Sequence, residues 1–218
     1  MSSNNKIQAL LFDLDGTLLN TQDGIICSVK YTMQTLNLPE IGDDELCSFV
    51  GPPIQDSLRN HFGLSMEEAQ SGAEIFRNYY QHEALYRAYV YEGVMDFLDY
   101  LKHHDIKMAV ATYKREDYAI QILNYFGITQ FCDVIHGADN ENKLTKADIV
   151  EICVYELGCD KKSVALVGDT NHDAIGAMKA GVSFIAVTWG FGYKRNNPQI
   201  EYPYIGIANE MRDIGKFI

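Results

Sequence analysis

The sequence predicts an α/β protein: a parallel sheet covered by helices on both faces, interrupted after its first strand by a helical insertion. Three observations carry this. Short, nearly continuous apolar runs recur at Ile7–Phe12, Met108–Ala111, Val134–His136, Val164–Val167 and Phe184–Val187, a texture that fits strands buried on both faces. Helical-period segments, about Val94–His104, Glu116–Phe126, Lys146–Leu157 and Asn171–Ala180, alternate with the last four runs, which implies right-handed crossovers and a parallel sheet. Roughly Leu18 to Tyr91 contains no strand-like run and reads as helices.

Taken in order, the first run follows a polar leader, Met1–Lys6, that carries no targeting signature. Within the insertion, Gly51-Pro52-Pro53 reads as a loop before a short helix, with Pro53 at its first position. Ser65-x-x-Glu68 is a capping box that opens a long helix towards Tyr91. The tyrosines at 79, 80, 86, 89 and 91 are expected to pack within the fold. The domains expected are a core of residues 1–18 and 92–218 and a helical insertion of residues 19–91. In the core, Thr145 is a credible N-cap for the helix that opens at Lys146.

Length and composition fit this plan. A chain of 218 residues suits one domain with a modest insertion. No apolar stretch approaches membrane-spanning length. The five cysteines are odd in number and include no Cys-x-x-Cys pair, which fits reduced, mostly buried thiols in the cytoplasm. A formal net charge of −12 argues against unassisted binding to a nucleic acid polymer or an anionic membrane. It also means that an anionic substrate needs locally positive chemistry, which a divalent cation would supply.

In an open parallel sheet, ligands bind beyond the carboxyl ends of the strands. After the first run stands Asp13-Leu14-Asp15-Gly16-Thr17. Two carboxylates two positions apart after a strand can face one cleft, and Gly16 lets the backbone turn beside a ligand. Thr112 follows the second run, with Tyr113 and Lys114 after it. Gly168-Asp169-Thr170-Asn171-His172-Asp173 follows the fourth, with Asp173 one helical turn beyond Asp169. Converging carboxylates would repel and raise each other's pKa. A hard cation resolves this, and an oxygen-only donor set suits Mg2+ better than zinc. Asp13 can then attack phosphorus as a carboxylate nucleophile. Asp15 can protonate the leaving oxygen and later deprotonate the hydrolytic water. Mg2+, Lys146 and Thr112 would stabilise the phosphoryl oxygens.

Asp13-Leu14-Asp15-Gly16-Thr17, Thr112, Lys146 and Gly168-Asp169-x-x-x-Asp173, in that order, resemble the four motifs of the haloacid dehalogenase-like (HAD) hydrolase superfamily. The insertion after the first motif resembles its type 1 helical cap, and the overall texture is closest to phosphoglycolate phosphatase-like and 5′-nucleotidase-like members. The resemblance implies a Rossmann-like core, Asp13 as nucleophile, Asp15 as acid/base, Thr112 as phosphate ligand and Lys146 as charge stabiliser. It implies Mg2+ held by Asp13, the backbone carbonyl of Asp15, and Asp169, with Asp173 close by. Two departures stand out: Lys146 is followed by Ala147 where relatives often have proline, which makes Lys143 a rival, and Glu92 precedes Gly93 where many relatives have proline.

The activity expected is hydrolysis of a small organic phosphomonoester by a cytoplasmic enzyme, with a monomer as the default state and specificity set by the insertion. Asp15 argues against a dehalogenase, which needs no leaving-group acid. A phosphoryl transferase of the β-phosphoglucomutase type is the alternative, disfavoured by Gly51-Pro52-Pro53-Ile54-Gln55-Asp56, which has no arginine at its start. A catalytically silent regulatory protein is a further alternative, disfavoured by the intact carboxylates. Phosphoglycolate, a nucleoside monophosphate and a sugar phosphate all remain open as substrates.

Overall fold

Every residue of Ala9–Phe12 (β1) is buried, as a strand covered on both faces must be. A computed structural model describes residues 6–139 and 143–218. After β1 the chain runs through β2 (Leu19–Asn20), α1 (Gln22–Thr35), α2 (Asp43–Cys47), α3 (Ile54–Phe62), α4 (Met66–Tyr79) and β3 (Tyr89–Val90). It continues through α5 (Val94–His103), β4 (Lys107–Arg115), α6 (Glu116–Tyr125), β5 (Val134–Ala138), α7 (Lys146–Leu157), β6 (Val164–Gly168), α8 (Asn171–Ala180), β7 (Ser183–Val187) and β8 (Gly206–Ala208). Two compact units result: residues 1–19 with 90–218, and residues 20–89.

The larger unit holds a six-stranded sheet in the order β5-β4-β1-β6-β7-β8, with every neighbouring pair parallel. Ala9 and Leu11 of β1 join a cluster with Ile149, Val150 and Cys153 of α7 and Ala174 and Ala177 of α8. Leu10 and Phe12, on the other face by the alternation of a strand, are equally buried. The helices α7 and α8 begin and end where the sequence places them. Three differences stand out. β4 runs on to Arg115, so Thr112 lies inside the strand rather than after it. The sixth strand, β8, has no apolar run to announce it: Gly206 opens it and only three residues pair. The five cysteines are free thiols, but only Cys153 is fully buried.

The smaller unit is helical, with two corrections. Its ends are not wholly helical, because β2 and β3 form a two-stranded sheet. The helix opened by the capping box is also shorter than expected. Ser65 and Glu68 make the two reciprocal bonds, at 2.9 and 3.2 Å, but α4 stops at Tyr79 and one π-helical turn, Tyr80–Ala84, follows. Tyr80 is buried against Phe76, and Tyr79 stacks on Tyr31 at 4.2 Å. Tyr86 and Tyr89 do not pack as expected; both are well exposed. Pro53 sits at the N-cap of α3, one position earlier than expected.

Leu166 lies wholly buried in β6, next to the central strand. Leu166→Ala is therefore expected to cost about 2–5 kcal/mol in urea unfolding. Tyr155→Ala, on the exposed side of α7, should change stability by no more than about 0.5 kcal/mol. Equal effects would contradict this placement of the core.

Candidate active site

The strand order puts β1 between β4 and β6, where the direction of winding reverses, and the carboxyl end of such a switch point is where ligands bind in an open parallel sheet. Register aligns the three strands. Phe12 pairs with Val110 on one side and Val167 on the other, which brings Asp13 level with Ala111 and Gly168. The Asp13 N–H donates to the Val167 carbonyl at 2.9 Å and extends the ladder by one residue. Thr112 and Asp169 stand one step further along.

Beyond Asp13 the chain turns sharply. The Leu14 carbonyl accepts from the N–H groups of Leu18 and Leu19, both at 3.0 Å. Gly16 adopts φ +87°, and a Cβ there would collide with the Asp169 carboxylate, so glycine is required both for its backbone angle and for its lack of a side chain. The Trp189 indole donates to the Thr17 carbonyl at 3.1 Å and braces the far end of the turn.

Lys146 is placed by the start of α7. The Thr145 hydroxyl accepts from Asp148 N–H, and the Asp148 carboxylate accepts from Thr145 N–H at 2.8 Å. The Lys146 N–H donates to the Tyr113 hydroxyl at 2.9 Å. Its ammonium, 3% exposed, reaches Asp13 Oδ1 at 2.6 Å and Asp173 Oδ1 at 2.8 Å. Lys143 lies in the loop before α7, with its backbone N–H on the Asp139 carboxylate. Of the two lysines, Lys146 is the one joined to Asp13.

The two acids after β6 are held differently. Asp173 divides its oxygens: Oδ2 caps α8 by accepting from Thr170 N–H and Oγ1, at 3.1 and 2.7 Å, and Oδ1 pairs with Lys146. It is thus a helix-capping acid and a member of the cluster at once. Asp169 is wholly buried. Its Oδ2 accepts from Phe191 N–H and Gly192 N–H at 2.7 and 3.2 Å, whereas Oδ1 has no hydrogen-bond partner among the described residues.

Thr112 and Asp15 fall on the β4 side. The ladder between β4 and β5 shifts between Ala111 and Arg115, and such an irregularity re-aims side chains at a sheet end. The buried Thr112 hydroxyl accepts from Lys114 N–H at 3.1 Å. The Lys114 ammonium grips both oxygens of Asp15, at 3.0 and 2.9 Å, with 6% and 14% of the two side chains exposed. The Asp15 side chain is therefore bound by Lys114 and is not one of the three acids that gather at one point.

That cluster is Asp13, Asp169 and Asp173, which each offer one carboxylate oxygen within 4.8 Å of the others. One ammonium cannot neutralise three carboxylates. Burial pushes Asp169 up to about 8, and the nearby charges of Asp173 and Asp13 push the same way. Burial likewise raises Asp13 to about 6, against the pull of Lys146. For Lys146, burial alone would lower the pKa, but Asp13 and Asp173 outweigh it and the net shift is upward. The unpartnered Asp169 Oδ1 and the all-oxygen donor set fit a hard divalent cation such as Mg2+.

Three features of the site have no role in the sequence reading. Lys114 and Tyr113 lie in the last residues of β4, and the loop from Thr188 to Gly192 supplies the braces on Thr17 and Asp169. All three obey the strand-end rule that located the aspartates, but no charge pattern marks the loop, because it acts through backbone N–H groups and one indole.

Without a cation, the raised pKa values of Asp13 and Asp169 have a defined sign. Their contribution to stability is full below the unfolded value, near 3.8, and is lost as pH rises through about 6 and about 8. Asp169→Asn keeps the shape and removes the uncompensated charge. In EDTA above the Asp169 pKa of about 8 it is expected to melt higher than wild type, by about 2–4 °C per kcal/mol recovered. Mg2+ should raise the wild-type melting temperature more at that pH than below 6 and leave the variant unmoved. A variant that melts lower than wild type in EDTA would contradict this account.

The profile of the haloacid dehalogenase-like hydrolase family matches residues 10–187. The pyrophosphatase PpaX of Halalkalibacterium halodurans is 34% identical over 185 residues, covering 84% of each chain. The tyrosine-protein kinase PtkA of Mycobacterium tuberculosis is 32% identical over 186 residues, but the match spans only 63% of that protein against 85% of this one. The crystal structure of a predicted phosphatase from Clostridium acetobutylicum superposes with a TM-score of 0.87 at 30% identity, covering 97% of both chains. With its parallel sheet and its four motifs gathered at one sheet end, this chain belongs to the haloacid dehalogenase-like hydrolase family.

Proposed function

We propose that the chain is a Mg2+-dependent phosphatase that hydrolyses a small organic phosphomonoester, phosphoglycolate- or nucleotide-like, through an aspartyl-phosphate on Asp13. The observation that carries this is the buried cluster in which Asp13 is joined to Lys146 beside an Asp169 oxygen with no partner. Phosphatase and pyrophosphatase names among the relatives support the same class of chemistry.

Lys146 holds Oδ1 of Asp13, which leaves the other oxygen to attack phosphorus. The leaving oxygen takes a proton from Asp15, and in the second half-reaction Asp15 takes one from the water that hydrolyses the acyl-phosphate. Lys114 clasps both Asp15 oxygens and so fixes where that proton exchange happens. Thr112 and Lys146 supply a hydroxyl and a positive charge for the transferred phosphoryl group. Mg2+, held by Asp13, the Asp15 backbone carbonyl and Asp169 with Asp173 close by, would neutralise charge on the phosphoryl oxygens. Tyr113 acts through Lys146, whose backbone N–H it accepts.

Phosphate release from p-nitrophenyl phosphate should require Mg2+ and fall at least about 10³-fold in Asp13→Asn, the order expected when a covalent nucleophile is lost. Equal rates in wild type and variant would overturn the site assignment. A panel of phosphomonoesters with pyrophosphate included, scored by kcat/KM, identifies the substrate class.

Lys114→Met should lower kcat by about 10–100-fold, because a small misplacement of an acid/base is enough for such a loss. Lys114→Arg should recover part of it, and an unchanged kcat in Lys114→Met would remove Lys114 from the mechanism. The second reading, a phosphoryl transferase, gains support from the kinase name carried by PtkA. Incubation with a sugar 1-phosphate and NMR detection of the 6-phosphate separates the two.

A further inference from the structure

The end of the sheet opposite the aspartates carries a second cleft, of about 860 Å³. Its walls come from the amino ends of strands. Lys6 and Ile7 lead into β1, Lys161 and Lys162 lead into β6, Ser183 opens β7 and Ile205 leads into β8, while Lys216 and Phe217 close it. Four lysines thus line one hollow in a chain whose formal net charge is −12. Among the described residues, no Asp or Glu lines it.

The lysines are unequally satisfied. Lys161 pairs with Glu151 and Lys216 with Asp213, both at 2.6 Å, and neither acid lines the cleft. Lys6 and Lys162 have no ion pair among the described residues. Like charges that converge repel one another, and a multiply charged anion relieves that repulsion best. The floor is apolar, with Ile7, Val182, Ile205 and Phe217 between the lysines. In a chain of formal net charge −12, a group of lysines gives an anion a local attraction that the net charge does not.

We propose that this cleft is a second anion site, distinct from the aspartate cluster, that takes an oligophosphate chain. Free tripolyphosphate and a nucleoside triphosphate share that chemistry. The lysines hold the phosphates as point charges, and the apolar floor is open to a nucleoside.

The test is isothermal titration of the full chain in EDTA with tripolyphosphate in one arm and ATP in the other. Without a cation the aspartate cluster repels such ligands, so binding reports the lysine cleft. One saturable site is expected in the wild type. Lys6→Gln/Lys162→Gln should weaken it at least about tenfold, the scale of two lost charge-assisted contacts. Lys102→Gln/Lys179→Gln removes the same charge from exposed positions elsewhere and should leave binding within about twofold. Tighter binding of ATP than of tripolyphosphate assigns the floor to the nucleoside, and equal binding assigns recognition to the phosphates alone. Absence of saturable binding in both arms, or equal loss in the two double variants, would overturn the proposal. Both double variants should hydrolyse p-nitrophenyl phosphate as the wild type does, so a failure here is separable from a failure of the phosphatase reading.

Discussion

Three carboxylates and one ammonium are buried together at the end of the central strand, and much of the site's construction follows from that imbalance. Asp13, Asp169 and Asp173 carry three negative charges when ionised, and Lys146 returns one. Buried charge that is not paired is among the largest penalties a fold can carry. Two responses are open to the protein. It can hold protons, which the raised pKa values of Asp13 and Asp169 express, or it can take a divalent cation, whose two charges close the deficit. The same deficit that destabilises the cation-free protein would give the site an affinity for a cation.

The fold makes this crowding possible by fixing each member separately. Asp13 is held by the β1–β6 ladder, Lys146 by a capping box and by Tyr113, and Asp173 by its own cap on α8. Asp169 is held by two N–H groups of the loop after β7. The same loop supplies the indole that braces Thr17, so one short segment positions both the turn after Asp13 and Asp169. Gly16 permits the close approach of that turn to Asp169. Asp15 is clasped by Lys114 and is not among the three acids that gather at one point.

The sheet core was legible because its strands are buried on both faces, so their apolar runs carry no ambiguity of facing. The start of α7 was legible because Thr145 is a capping residue. The short strands β2, β3 and β8 were not: each has only two or three residues, too few to show a period. The end of α4 was missed because a π-helical turn keeps helical composition while the backbone changes its bonding. At the site, side chains that act by charge could be read from their place after a strand. Lys114 was seen there but not paired with Asp15, because that partnership spans 99 residues. The backbone donors of Phe191 and Gly192 leave no trace in side-chain chemistry at all.

The central claim is that a cation replaces protons in the aspartate cluster. It is tested most directly by calorimetric titration of Mg2+ in buffers of different ionisation enthalpy, which counts protons exchanged on binding. The account predicts saturable binding at neutral pH with release of about one proton, falling towards none as pH rises past the Asp169 value of about 8. Binding without proton release at neutral pH, or no binding at all, would contradict it.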